Sequence, residues 1–353
     1  MPFLKNKEFN KLLVKARNQR AAELPFVLYQ KPNDNEVKAI FLENSSLVYT
    51  SNFTEEGFIF SAFDNKNTGI LFPSAKIDST TYKIEKVGIK ESTIFSKHEK
   101  EFHIELVNKA VETIKSSTLK KVVLSRKLLA ETEKDEFQLF QQLLNTYQNA
   151  FKYLWFHPEI GIWLGASPEV LLEIDDKFII TNSLAGTVPV IANQPPKWSH
   201  KEIEEQQLVT DFITENLSNK LVAIKTSKTK SIKAGKLWHL KSTISGTLKN
   251  SIGLKTILKA LHPTPAICGL PKEAAKKFII DNENYNREFY TGFLGELNLG
   301  DKKETYLYVN LRCMKLNAKT ATIYIGGGIT RDSIAENEWK ETQYKSNTML
   351  SLL

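Results

Sequence analysis

Residues 152–182 read KYLWFHPEIGIWLGASPEVLLEIDDKFIITN. Two short apolar runs, KYLWFHP (152–158) and GIWLGAS (161–167), are separated by only two residues. A link that short joins antiparallel neighbours, because a parallel crossover takes a dozen residues or more. VLLEIDDKFIITN (170–182) repeats the pattern, with Asp175–Asp176 at the expected turn. Hairpins following one another in this way predict an α+β fold with largely antiparallel sheet, not a β–α–β alternation.

Outward from this stretch the pattern continues. KVVLSRKLL (121–129) reads as a buried strand, and TYLYVNLRCMKL (305–316) with TATIYIGGG (320–328) as another hairpin. FHIELVNKAVETIKS (102–116) spaces Ile104, Val107, Val111 and Ile114 as a helix. Helices are also expected over 136–150, 200–217 and about 336–351, with short ones at 253–261 and 272–280. Residues 1–95 are strand-like and loop-rich after a first helix carrying Phe9, Leu12 and Leu13. No repeat or linker-like change of composition appears, so 1–353 reads as one domain of two interlocked halves.

The 353 residues are 41% hydrophobic and 25% charged, the profile of a globular chain. No apolar run approaches the length of a membrane span, and the start lacks a signal-peptide core. The two cysteines, Cys268 and Cys313, form no disulfide framework or metal spacing, and a cytoplasmic location is expected. The net charge is +8. Its densest stretch, KLVAIKTSKTKSIKAGKLWHLK (220–241), reads as a solvated hairpin. It lacks the interleaved aromatics of a nucleic-acid groove. A basic balance suits an anionic small-molecule substrate.

Several residues could carry chemistry. Glu202 and Glu205 are three apart on one helix, and Glu338 and Glu341 three apart on another, with Lys345 four further on. Such pairs can hold a hard cation, although each alone also suits a solvated helix face. Gly326, Gly327 and Gly328 let backbone N–H groups approach an anion, or simply make a tight turn. Lys121 opens an apolar strand and could act as a base or merely snorkel. Glu169 follows a strand and could be a general acid or a plain turn carboxylate. Arg312, read as lying within a strand, meets either a ligand carboxylate or an internal partner. HPTPA (262–266) is a stiff turn, because Pro263 and Pro265 fix two φ angles.

The order KVVLSR, GASPEVLL, SLAGT, KEIEEQQLV, HLKSTISGTL, HPTPAICGLPKEAA, REFYTGFLGEL, YVNLRCMKL, YIGGGITRDS, EWKETQYKSNTML resembles the chorismate-utilising enzymes. These include anthranilate, aminodeoxychorismate, isochorismate and salicylate synthases. The resemblance covers about 100–353; residues 1–95 look divergent and shortened. It implies two facing, mainly antiparallel sheets with helices outside, binding chorismate and Mg²⁺. It implies Glu205 and Glu341 as metal carboxylates, with Glu202 and Glu338 near them, through water. Leu184, Gly186 and Thr187 of SLAGT, with His239 and Ala266, would line the ring side. Tyr290, Arg312, Gly326 and Gly328 would grip the enolpyruvyl carboxylate, with Lys345 adding charge.

Three positions sort the family. Water-using members resemble this chain in carrying lysine at the position of Lys121, where aminating members have glutamine. Ala185 stands where some aminodeoxychorismate synthases have a nucleophilic lysine. HPTPA ends in Ala266, where salicylate synthases have threonine. The resemblance thus points to isochorismate synthase, with Lys121 as base and Glu169 as acid. Salicylate synthase and an aminating component I are the alternatives. No amidotransferase subunit, nucleic acid or membrane partner is expected, and the oligomeric state is not legible. The product would feed menaquinone or siderophore synthesis. The family often has His after its first metal Glu, where this chain has Gln206.

Overall fold

The computed structural model describes residues 6–64, 68–74, 76–85, 96–191, 194–234 and 237–353. The first part of the chain forms α1 (Lys7–Ala21), β1 (Phe26–Gln30), β2 (Glu36–Phe41), β3 (Tyr49–Thr50), β4 (Gly57–Ser61), β5 (Gly69–Pro73), β6 (Asp78–Thr81) and α2 (Lys97–Ser116). The middle forms β7 (Lys121–Glu131), α3 (Glu136–Thr146), β8 (Phe151–His157), β9 (Gly161–Ser167), β10 (Val170–Asp175), β11 (Phe178–Pro189), α4 (His200–Ser218), β12 (Leu221–Thr226), β13 (Lys230–Ala234) and β14 (Leu237–Leu248). The last part forms α5 (Leu254–Leu261), β15 (Gly269–Leu270), α6 (Lys272–Asn282), β16 (Phe293–Leu299), β17 (Glu304–Val309), β18 (Cys313–Asn317), β19 (Thr320–Ile329) and α7 (Ala335–Leu350).

These strands make two sheets, and every described pairing is antiparallel. One runs β15-β7-β19-β18-β9-β8-β1-β2-β6. The other runs β12-β14-β11-β10-β17-β16-β4-β5-β3, with β13 also on β14. The hairpin β8–β9 lies in the first sheet and the hairpin β10–β11 in the second, so the 152–182 stretch crosses between them. Strands from 26–81 extend both sheets, which leaves the first part of the chain no core of its own.

Strand alternation explains the layers. In β8, Phe151, Tyr153 and Trp155 face an aromatic layer between the sheets, while Leu154 and Phe156 face α1 and α3. β1 repeats this, with Val27 and Tyr29 inward and Phe26 and Leu28 outward. The aromatic layer packs by ring contacts such as Phe72 on Trp155 at 5.1 Å and Phe151 on Tyr308 at 4.3 Å. On the far side, Val209, Ile213 and Leu217 of α4 cover the second sheet with Ile257, Leu258 and Leu261 of α5.

The structure corrects some sequence expectations. Residues 305–316 do not form one strand: β17 pairs in one sheet and β18 in the other. Arg312 sits at the break with φ 48°, where the chain changes sheets. α3 ends at Thr146, short of 150. The turn of β10–β11 is Asp176–Lys177, since Asp175 pairs with Phe178. The lysine-rich stretch is three strands: β12 and β13 both lie along β14.

Candidate active site

One cavity collects most of the expected residues. Glu169, Leu184, Gly186, Thr187, Glu205, His239, Ala266, Tyr290, Arg312, Gly326, Gly328, Glu341 and Lys345 all line it. Pairing explains the convergence. β7 and β19 are neighbours, with Gly328 opposite Val123; β11 and β14 are neighbours, with Thr187 opposite His239. Helices α4 and α7 bring the carboxylates.

The carboxylate end has three acids, each with its own lysine. Lys121 Nζ lies 2.9 Å from Glu205 Oε1. Lys345 Nζ lies 2.7 Å from Glu341 Oε1. Lys201 meets Glu338, tying α4 to α7. Burial would raise the Glu205 carboxyl, but Lys121, Lys201 and Lys345 outweigh it and hold it below the usual range. Glu338 moves the other way, because burial and the neighbouring Glu341 raise it despite Lys201.

This end fits the magnesium that the resemblance implies. Its donors are carboxylate oxygens, the set a hard divalent cation takes. Glu338 Oε2 is buried with no hydrogen-bond partner among the described residues. A Cβ built at Gly327 would stand 3.7 Å from that oxygen and 3.9 Å from Glu341 Oε1. A Cβ at Gly328 would overlap Glu205 Oε1. The glycines therefore leave open the space these oxygens face. No ready shell of three His, Cys, Asp or Glu ligands is drawn together among the described residues; each acid rests on its lysine instead.

The opposite end is cationic. Arg312 donates from Nη1 to Thr348 Oγ1 at 2.8 Å, and its Nη2 lies 3.5 Å from His239 Nε2. Both partners are neutral, and burial lowers the Arg312 pKa. His239 is pushed down to about 3 by burial and then by Arg312 and Lys345. Neutral His239 places Nδ1 3.2 Å from the Gly186 carbonyl, so that nitrogen donates and Nε2 is left to accept. Gly186 has φ 72° at the irregularity between Ala185 and Thr187, which turns its carbonyl toward His239. Tyr290 is buried and stacks on Tyr324 at 5.4 Å; a Cβ at Gly326 would come 2.7 Å from its hydroxyl. Lys345 Nζ donates to the Gly326 carbonyl at 2.9 Å, linking the two ends.

Two groups can move protons. Burial raises Glu169 from 4.5 to about 8, and Lys121 and Lys345 counter it only in part. It is therefore mostly protonated at neutral pH, as a general acid must be. Lys121 is fully buried, yet its ammonium makes no hydrogen bond of good geometry among the described residues beyond the Glu205 ion pair. It sits behind the cavity wall at Glu205 and Gly328, not among the residues that line the cavity.

Other residues take different places. Glu202 does not face the cavity: its carboxylate accepts from the Ser199 N–H (2.9 Å) and hydroxyl (2.5 Å) in a capping box. Gln206 points away from the carboxylates, donating to Ser183 Oγ, Thr210 Oγ1 and Ser242 Oγ at 3.0, 2.9 and 3.0 Å. His262 is core, 5.0 Å edge-on to Phe293, while Ala266 of the same turn reaches the cavity. Sequence reading missed Lys201, Thr291 and Tyr324. Of these only Lys201 carried a signal, one residue before Glu202 on the acidic face.

Known proteins share the sequence pattern and the fold. The family profile for chorismate binding enzymes matches residues 2–351. The isochorismate synthase DhbC of Bacillus subtilis is 30% identical over 264 residues, 69% of this chain and 65% of that protein. EntC of Escherichia coli is 30% identical over 285 residues, 76% of this chain and 69% of that one. The chain thus spans about two thirds of the length of these relatives. Among solved structures, the putative isochorismate synthase DhbC of Bacillus anthracis superposes with a TM-score of 0.79 at 24% identity, over 94% of this chain and 96% of that chain. Anthranilate synthase component I of Streptococcus pneumoniae gives 0.67 at 17% identity, over 92% of each chain. The two sheets are this shared fold, and the chain belongs to the chorismate binding enzyme family.

Proposed function

We propose that the protein is an isochorismate synthase, converting chorismate reversibly to isochorismate with Mg²⁺. The observation that carries this reading is a carboxyl kept protonated near neutrality in the cavity wall, Glu169, together with a fully buried lysine, Lys121, directly behind that wall, paired to the cavity carboxylate Glu205 and beside Gly328. Lys121, as a free amine once released from its ion pair with Glu205, removes a proton from a water that attacks C2 of the ring. The ammonium so formed is held by Glu205 at 2.9 Å. Both ring double bonds shift, the C4–O bond breaks, and Glu169 protonates the departing hydroxyl, which leaves as water. One water enters and one leaves, so the step is an isomerisation.

Glu205 and Glu341 would hold the metal, with Glu338 beside them. When bound, Mg²⁺ supplies positive charge that neutralises the ring carboxylate and orients it. Arg312, with Tyr290 and the backbone of Gly326 and Gly328, holds the enolpyruvyl carboxylate at the cationic end. Ala185 and Ala266 leave no amine or hydroxyl beside the ring, which supports release without amination or pyruvate loss.

Similar proteins named for menaquinone and for vibriobactin both occur, so the product serves one of those two kinds of pathway. The test is product analysis by chromatography with purified protein, chorismate and Mg²⁺, without ammonia. Isochorismate is the expected product. Salicylate with pyruvate, or turnover only when ammonia is added, would replace this reading with one of the alternatives.

A further inference from the structure

A second cavity, about 1060 Å³, adjoins the catalytic one and shares two wall residues with it, Pro168 and Arg312. The guanidinium read above as the carboxylate clamp is thus also the boundary between two chambers. β14 shows how the chambers connect. Alternate residues of a strand face one way. Of Leu237, His239 and Lys241, His239 lines the catalytic cavity, and Leu237 and Lys241 line the second. Lys233 of β13 joins them there.

The lysines are placed for an anion. Neither the Lys233 nor the Lys241 side chain has a hydrogen bond or an ion pair among the described residues. Lys241 stands directly across from Lys230 in the β13–β14 ladder, a like-charge pair that costs stability. Of the acids on the same wall, Glu173 feels the charge of Lys241 but forms no ion pair with it within 4 Å, and Asp34 pairs with neither lysine among the described residues. Near the carboxylate end of the catalytic cavity, half-buried Lys201 pairs with buried Glu338 between α4 and α7.

We propose that the second cavity is the passage by which a small dicarboxylate enters and leaves the catalytic cavity, with Lys233 and Lys241 binding its carboxylates on the way and passing them to Arg312. Chorismate as the dicarboxylate rests on the function proposed above. Cations along a narrow, low-dielectric approach raise the capture rate of an anion, and salt weakens that effect.

The test measures association directly. Chorismate binding is followed by stopped-flow tryptophan fluorescence, reported by Trp163, which stacks at 5.2 Å on the cavity residue Tyr324. Wild type, Lys233→Gln, Lys241→Gln and the double variant are compared between low and high salt. The double variant should associate about fivefold more slowly at low salt, on the scale of electrostatic steering, and lose most of its salt dependence. The single-turnover rate at saturating chorismate should stay within about twofold. A steric test uses Lys233→Cys modified with a bulky thiol reagent, since both native cysteines are buried. The plug should slow association and dissociation together by about tenfold, and reduction should reverse it. Wild-type association and salt slope in the double variant, or a plug without effect, overturns the passage. Failure of the wild type to form isochorismate overturns the functional reading instead, because the association measurement needs no turnover.

Discussion

The two ends of the catalytic cavity are built from the same materials in opposite ways. At the carboxylate end, Glu205, Glu338 and Glu341 each stand against a lysine, so the charges are balanced before any ligand arrives. At the arginine end, Arg312 has Thr348 and neutral His239 as its only hydrogen-bond partners among the described residues, so a half-buried cation lacks an anionic partner. A buried charge without a counter-ion is costly. At the first end a divalent metal would add two positive charges, one of which a ligand carboxylate would offset. The second is completed by a ligand carboxylate. A dicarboxylate that carries one carboxylate to a metal and the other to an arginine matches both.

The sharpest way to break this contrast is Lys121→Ala. If Lys121 is only a counter-ion of Glu205, the loss should resemble that of Lys201→Ala. If it is the base, isochorismate formation should fall by about 10³–10⁴-fold, the upper range for general base catalysis. Initial rates by product chromatography check this, with circular dichroism to show the fold is retained. Lys201→Ala, which removes the partner of Glu338 but touches no reacting atom, should cost far less in rate.

Glu169→Gln comes next, with an expected loss of about 10²–10³-fold. The pH profile gives a second readout. Wild-type activity should decline as pH rises through about 8, where Glu169 loses its proton. That limb should vanish in the variant. The same shift acts on stability. Native Glu169 keeps a proton between its ordinary 4.5 and about 8 that the unfolded chain releases. Its contribution therefore falls as pH rises across that window, and denaturant titrations should show Glu169→Gln losing this slope.

How much of this was legible in the chain depends on the range of each interaction. The antiparallel hairpins were plain, because links of two residues between apolar runs permit little else. Glu205 and Glu341 were legible as candidates because helical spacing is local. The resemblance, not the spacing, singled them out from Glu202, whose carboxylate turned back to cap its own helix. Arg312 was misread as a strand residue, since nothing local marks where β17 leaves one sheet and β18 enters the other. The role of Lys201 depends on α4 meeting α7, a contact between residues 137 positions apart. That contact is tertiary and leaves no local pattern.

Arg312→Lys probes the other end. Lysine keeps the charge but loses the planar fork, so binding should suffer more than chemistry. KM for chorismate should rise about 10- to 100-fold, the range of one charge-assisted hydrogen bond, with a smaller change in kcat. Loss of kcat at unchanged KM would instead assign Arg312 to the transition state and undo its reading as a static clamp.

The smallest effect on activity is expected from Gln206→Leu, and it bears on the carboxylate end from behind. Gln206 follows Glu205, the carboxylate proposed to hold the metal, where the family often has histidine. Its amide nevertheless joins β11, α4 and β14 through three buried hydroxyls, Ser183, Thr210 and Ser242. Leucine fits the volume roughly but cannot donate to those oxygens; the Ser183–Thr210 and Thr229–Ser242 contacts remain, so the cost is that of the lost hydrogen bonds, about 0.5–1.5 kcal/mol each. Thermal unfolding should therefore show a clear drop in Tm, while the Mg²⁺ concentration for half-maximal activity stays within about twofold, since surroundings that act on a metal directly shift affinity by 10- to 100-fold. A change in Mg²⁺ requirement of that larger size would mean that Gln206 orients Glu205 as well as holding α4 to the sheet. The balance of charges at this end would then depend on a residue that touches none of them.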